Sequence, residues 1–225
     1  MQHRGTMLRG TLKPSSAYTY NNKVKLIRGG ADYFAALTEL VNKATRSIHL
    51  QIYIIDDDET GQQVAHLLME AAKRGVAVYL LADGFASKNL PETFITQLQS
   101  AGVHFRFFEP LLKSEHFYFG RRLHHKILVT DAWYSLVGGV NISNRYNDTD
   151  GHPAWLDWAL LTEGPASVEL FKVCIQVWSR PGKIQLRKNL FHEITPPKPT
   201  GHSPVRIRRN DWVKRRNQIL SLIHI

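Results

Sequence analysis

The sequence predicts an α/β domain built on a mixed, mostly parallel β-sheet flanked by helices on both faces, followed by a basic tail. Three observations lead there. Between residues 23 and 109, short β-rich runs alternate with segments whose apolar residues recur at helical spacing, the pattern of strands joined by crossover helices. Residues 123–163 then hold three strand-like runs with no helix between them, which suggests antiparallel additions to the same sheet. A hydrophobic fraction of 43% over 225 residues is enough for one filled domain.

Taken in order, residues 1–22 carry charge but no apolar run and read as a flexible arm. KVKLIR, residues 23–28, is a short strand broken by Gly29 and Gly30. Residues 31–46 set Phe34, Leu37, Leu40 and Val41 on one side of an amphipathic helix. SIHLQIYII (47–55) is a strand running into the acidic turn DDDETG, and 61–75 is a second helix closed by Gly75. VAVYLLAD (76–83) is a buried strand, 91–102 a third helix, and VHFRFFE (103–109) another strand. LHHKILVTD (123–131), WYSLVGGVN (133–141) and WLDWALLTE (155–163) are the three later strands, and 166–179 is a closing helix. Its Cys174 has apolar neighbours and reads as core packing. The domain therefore spans 23–180, with a Pro- and Gly-rich linker at 181–203. Residues 204–225 restart as a strand and a helix, the expected start of a truncated second domain.

Charge narrows the function classes. The net charge is +10, yet residues 181–225 hold ten Lys or Arg against two acids and so carry +8 of it. The domain itself is nearly balanced, which speaks for a basic tail rather than a polyanion groove, so nucleic acid is not an expected partner. No stretch approaches the ~20 apolar residues of a membrane span, and residues 1–22 hold no apolar segment of signal-peptide kind. The expected location is cytoplasmic, with peripheral contact at the inner face of the membrane. A single cysteine excludes an internal disulfide framework.

The chemistry lies in LHHKILVTDAWYSLVGGVNIS, residues 123–143. His124 and Lys126 are two apart and share a face of a strand, while Ile127 and Val129 face the core. A hairpin turning at Asp131 brings Gly138 and Gly139 opposite the His124–Lys126 stretch, their missing side chains leaving room for a ligand. Asn141 and Ser143 then fall on the same side. An imidazole, an ammonium, an amide and a hydroxyl around one small pocket suit a phosphodiester. His124 can attack phosphorus, and Lys126, Asn141 and Ser143 can hold the non-bridging oxygens. Nothing in the set calls for a metal or cofactor. The parity of Asp131 turns it from the phosphate, toward bracing the turn.

The spacing H-x-K-x4-D-x6-G-G-x-N, carried by His124, Lys126, Asp131, Gly138, Gly139 and Asn141, resembles the signature motif of the phospholipase D superfamily. SIHLQIYIIDDDETG, AAKRGVAVYLLADG, LQSAGVHFRFFEP and WLDWALLTEGPA are similar to bacterial cardiolipin synthases. The resemblance implies a phospholipase D-like fold and a catalytic set of His124, Lys126 and Asp131. It also implies a phosphate clamp of Lys126, Asn141, Ser143, Gly138 and Gly139, and no cofactor. The implied reaction is phosphatidyl transfer through a phosphohistidine, with phosphatidylglycerol, phosphatidylethanolamine or cardiolipin as substrate. The family carries two motif copies facing one active site. Here no other His has a Lys two residues on. Either a second motif-bearing half belongs to the same longer chain, which the motif context favours, or the chain pairs as a homodimeric phosphodiesterase. A non-catalytic lipid- or phosphate-binding module is the third reading.

Other readings compete at single positions. A zinc site of His124, His125 and Asp131 is weak, because adjacent histidines on a strand diverge. Asp56, Asp57 and Asp58 fit a solvated turn better than a cation site, and Asp157 fits structural support. LLKSEHFYFGRRL, residues 111–123, mixes aromatics with cations. It is either a lip whose Phe117 and Phe119 enter a bilayer while Arg121 and Arg122 meet headgroups, or an ordinary loop.

Overall fold

A computed structural model describes residues 17–108, 122–149, 151–179, 201–211 and 216–217. The chain runs β1 (Tyr18–Arg28), α1 (Ala31–Lys43), β2 (Ser47–Ile52), α2 (Glu59–Lys73), β3 (Ala77–Asp83), α3 (Glu92–Ser100) and β4 (His104–Phe108). It continues through β5 (Lys126–Thr130), β6 (Tyr134–Gly138), β7 (Trp158–Glu163), α4 (Pro165–Trp178) and β8 (Ser203–Arg206). Eight strands form one mixed sheet in the order β4-β3-β2-β5-β6-β7-β1-β8. Pairing is parallel at β2–β3 and β3–β4 and antiparallel everywhere else in that sheet.

Helices cover both faces. Apolar residues of α1, α2 and α3, among them Leu37, Val41, Val64, Leu68, Phe94 and Leu98, pack with Ile48, Leu50, Leu80 and Leu128 from one face of the sheet. On the opposite face, Leu170, Phe171, Cys174 and Ile175 of α4 meet Ile127 and Val129. Burial on both faces explains why β2 is buried along its whole length and shows no polar alternation. The acidic turn after β2 has a defined use. Asp58 caps α2 by accepting from Gly61 N–H at 2.9 Å, and its other oxygen accepts from Asn144 N–H at 2.7 Å.

The sheet is mixed as expected but not mostly parallel, since five of its seven pairings are antiparallel, and two elements also differ from the sequence reading. β1 begins at Tyr18, inside the segment read as an arm, because Tyr18 and Thr19 pair with Arg206 and Val205 of β8. Such a partner is remote in the chain and leaves no local signal. In place of the helix expected after β8, Asn210–Asp211 (β9) pair antiparallel with Arg216–Asn217 (β10). That pairing folds the backbone back on itself between Asp211 and Arg216, which a continuous helix over 210–217 cannot do. At the β1 bulge, Asn22 is wholly buried; its amide donates to Thr19 O and Ser203 O and its oxygen accepts from Ala166 N–H, tying β8 and the start of α4 to one side chain. Phe117, Phe119 and Arg121 lie outside the described residues, as does most of the expected linker.

Candidate active site

β2 and β3 end, and β5 begins, at the same end of the sheet, since Ile52 pairs with both Ala82 and Lys126. Gly138 closes β6 there and pairs with Ala159 of β7. Ligands of open α/β sheets gather beyond the carboxyl ends of parallel strands, and this is that end.

His124 and Lys126 meet here. The ladder of β5 starts at Lys126, so His124 stands in the segment just before the strand rather than on it. The Lys126 Nζ lies 3.4 Å from His124 Nε2. Lys126 itself is buried, with its ammonium 5.0 Å from the centre of the Tyr53 ring, and the His124 ring lies 4.8 Å from the same ring. Tyr53 thus touches both the Lys126 ammonium and the His124 imidazole. Partial enclosure and the neighbouring ammonium hold the His124 imidazole below the ordinary histidine value, and the Asp83 carboxylate works the other way. The neutral, nucleophilic form is the one favoured. Burial also lowers Lys126 from its usual value, against the pull of the Asp157 carboxylate.

Asn141 is buried, and its Oδ1 accepts the Ile54 N–H at 3.0 Å. That bond fixes the amide and leaves its NH2 group as the donor. Ser143 is buried as well; its Oγ accepts from Arg145 Nε at 3.3 Å, and Arg145 pairs with Asp56 at 2.9 Å. The acidic turn therefore braces the Ser143 segment.

The space at the two glycines is taken by the protein itself. A Cβ on Gly138 would stand 2.2 Å from Trp158 O, and one on Gly139 would stand 2.1 Å from Asp157 Oδ1. The glycines let the start of β7 and the Asp157 carboxylate approach, where the sequence reading had assigned the room to a ligand.

Asp131 is not brought to the site. It stands at the far end of the β5 hairpin, roughly 17 Å from Lys126 at the usual rise per strand residue. Its Oδ1 accepts Arg46 and Ser47 N–H, and its Oδ2 accepts Thr45 N–H and Oγ1–H, at 2.8–3.1 Å. A role in the reacting set is corrected by this geometry to a brace for the α1–β2 connection. The zinc reading dissolves too, because His125 Nδ1 contacts Gln51 Oε1 at 2.9 Å and turns from His124. Arg122 lies with its guanidinium 4.7 Å over the Phe85 ring. Two neighbours of the imidazole, Tyr53 and Asp83, escaped the sequence reading. Their signals were an aromatic just past a buried strand and a carboxylate closing a fully apolar one.

Over residues 37–155 the sequence matches the family described as cardiolipin synthase, PLD-like domain. Cardiolipin synthase B of Salmonella typhi is 34% identical over 172 residues, which make up 74% of this chain and 40% of that protein. The cardiolipin synthase of Geobacillus thermodenitrificans is 36% identical over 161 residues, covering 70% of this chain and 32% of its own length. This chain therefore spans well under half the length of either relative. Among solved structures, the phospholipase D family member Nuc of Salmonella typhimurium superposes with a TM-score of 0.54 at 16% identity, covering 70% of this chain and 94% of that one. NucT from Helicobacter pylori gives 0.53 at 18% identity, over 68% and 92%. At such identities the likeness concerns the fold alone.

Proposed function

Because the chain belongs to the cardiolipin synthase, PLD-like domain family, we propose that it supplies one half-site of a phosphatidyltransferase of cardiolipin synthase type. The observation that carries the reading is the 3.4 Å contact of Lys126 Nζ with His124 Nε2. In the first step the imidazole forms a bond to phosphorus while the bond to the leaving alcohol breaks, and the alcohol oxygen takes a proton from a general acid. In the second, the hydroxyl of another lipid attacks phosphorus, gives its proton to the same acid–base group that protonated the first alcohol, and displaces the imidazole. Lys126, with the Asn141 amide and the Ser143 hydroxyl, holds the oxygens whose charge grows between these states. A lowered His124 pKa keeps the nucleophile unprotonated at neutral pH.

The general acid comes from a second motif-bearing half, in a longer chain or in a second copy. Mass in solution separates the two, since a stable monomer excludes paired copies. Phosphatidylglycerol, phosphatidylethanolamine or cardiolipin is the substrate class, met peripherally at the inner membrane face. No helix among the described residues is long and apolar enough to cross a membrane. The test is incubation of the complete two-motif protein with phosphatidylglycerol or phosphatidylethanolamine vesicles. Cardiolipin should form, and His124→Ala should lower the rate by about a thousandfold or more. No cardiolipin from the unaltered protein, or a rate that survives His124→Ala, overturns the reading.

A further inference from the structure

Asp83 closes β3 with a side chain that is wholly buried. Its Oδ1 accepts the N–H groups of Phe85 and Ala86 at 3.0 and 2.9 Å, and its Oδ2 accepts the Leu123 N–H at 2.7 Å. Leu123 packs with Leu81 and Phe108, and His124 follows it directly. The sheet ladder reaches only to Lys126, so the backbone ahead of the imidazole depends on such anchors. The same turn grips the other side of the ring. Ser87 Oγ donates to Tyr53 O at 3.2 Å and accepts the Ile55 N–H at 3.1 Å, which fixes the residue whose ring lies against His124.

We propose that Asp83 is a positioning residue for His124, holding residues 122–125 at the sheet end through the Leu123 N–H. An Asn or Ser can close an Asx- or ST-type turn without charge. Burying a full carboxylate is costly unless its charge is used, and the third acceptor bond is what the neutral residues cannot reproduce. Among the described residues, the charges that act on His124 are the Lys126 ammonium and this carboxylate, in opposite senses. The role in catalysis rests on the phosphatidyl-transfer reading; the positioning itself is measurable without turnover.

The experiment is an NMR titration of His124 in the full chain, with His124→Ala identifying its resonance, together with amide exchange of Leu123. Asp83→Asn keeps one oxygen for Phe85 and Ala86 but turns an NH2 group toward the Leu123 N–H. Leu123 should then exchange at least about tenfold faster, and His124 should titrate lower by about half a unit. Should the Asn variant fail to fold, Asp83→Ser retains a turn acceptor without the charge and carries the same two readouts. A folded variant in which Leu123 exchange and the His124 titration both match the parent overturns the proposal. Neither readout depends on whether cardiolipin forms, so failure of the transferase reading leaves this result legible.

Discussion

At Asp131 the backbone turns left-handed, with φ 51°, and Ala132 follows at φ 56°. Asp is among the few residues with a side chain that tolerates this region, and here its carboxylate also satisfies three backbone N–H groups and one hydroxyl. Asp131→Ala should cost about 2 kcal/mol and lower Tm by roughly 6 °C, measured by thermal unfolding. A Tm within a degree of the parent would show that the α1–β2 connection does not need it. His49 makes the opposite kind of statement. Its ring stacks on Tyr79 at 4.6 Å and meets Phe171 edge-on at 5.0 Å, and its Nε2 finds no hydrogen-bond partner among the described residues. Burial pushes its pKa from 6.5 down to about 3. The folded chain thus refuses a proton that the unfolded chain accepts. Nothing is lost above pH 6.5, and stability falls by about 1.4 kcal/mol per unit as the pH drops from there toward 3. Denaturant midpoints across that window should fall steeply in the parent and less so in His49→Phe; parallel curves would exclude His49 as the cause.

Between elements, close contact is set by what is missing. Gly138 lets β6 lie against the start of β7, since a Cβ there would be 2.2 Å from Trp158 O and 2.6 Å from the Ala159 Cα. Backbone atoms cannot swing aside as a flexible side-chain tip can. Gly138→Ala should cost about 3 kcal/mol in urea unfolding, against about 1 kcal/mol for Gly75→Ala, where space is open and only a φ of 88° opposes the change. Equal costs would show that the strands can part. Periodicity made α1 to α4 and most strands legible, because each buries an apolar side that recurs along its own sequence. The motif gave His124, Lys126 and Asn141 for the same reason: one hairpin carries them. Tyr53 and Asp83 were not legible as neighbours of the imidazole. Tyr53 follows β2 and Asp83 ends β3, and they reach the imidazole through the antiparallel pairing of β2 with β5 and the parallel pairing of β3 with β2, neither of which can be read from one segment. The extent of β5 was also overread, since LHHKILVTD has strand composition throughout while its first residues are held by Asp83 and Gln51.

Across the whole molecule, two apolar layers share one sheet, and among the described residues α4 is the helix that closes the second of them, with Ile207 packed beside it. Gln51 bridges the layers' contents to the site, donating to Cys174 O at 2.8 Å while its oxygen meets His125. Cys174, the only cysteine in the sequence, has no exposed surface, and burial raises its thiol to about 12. The chain consequently carries its own clock for detachment of α4. A thiol-modifying reagent reacts when that helix lifts, so the labelling rate in native buffer, taken against that in denaturant, reports the fraction of time the thiol is open. Labelling should run at least about a hundredfold slower than in denaturant, and a rate equal to that of a free thiol would mean the second layer is never sealed.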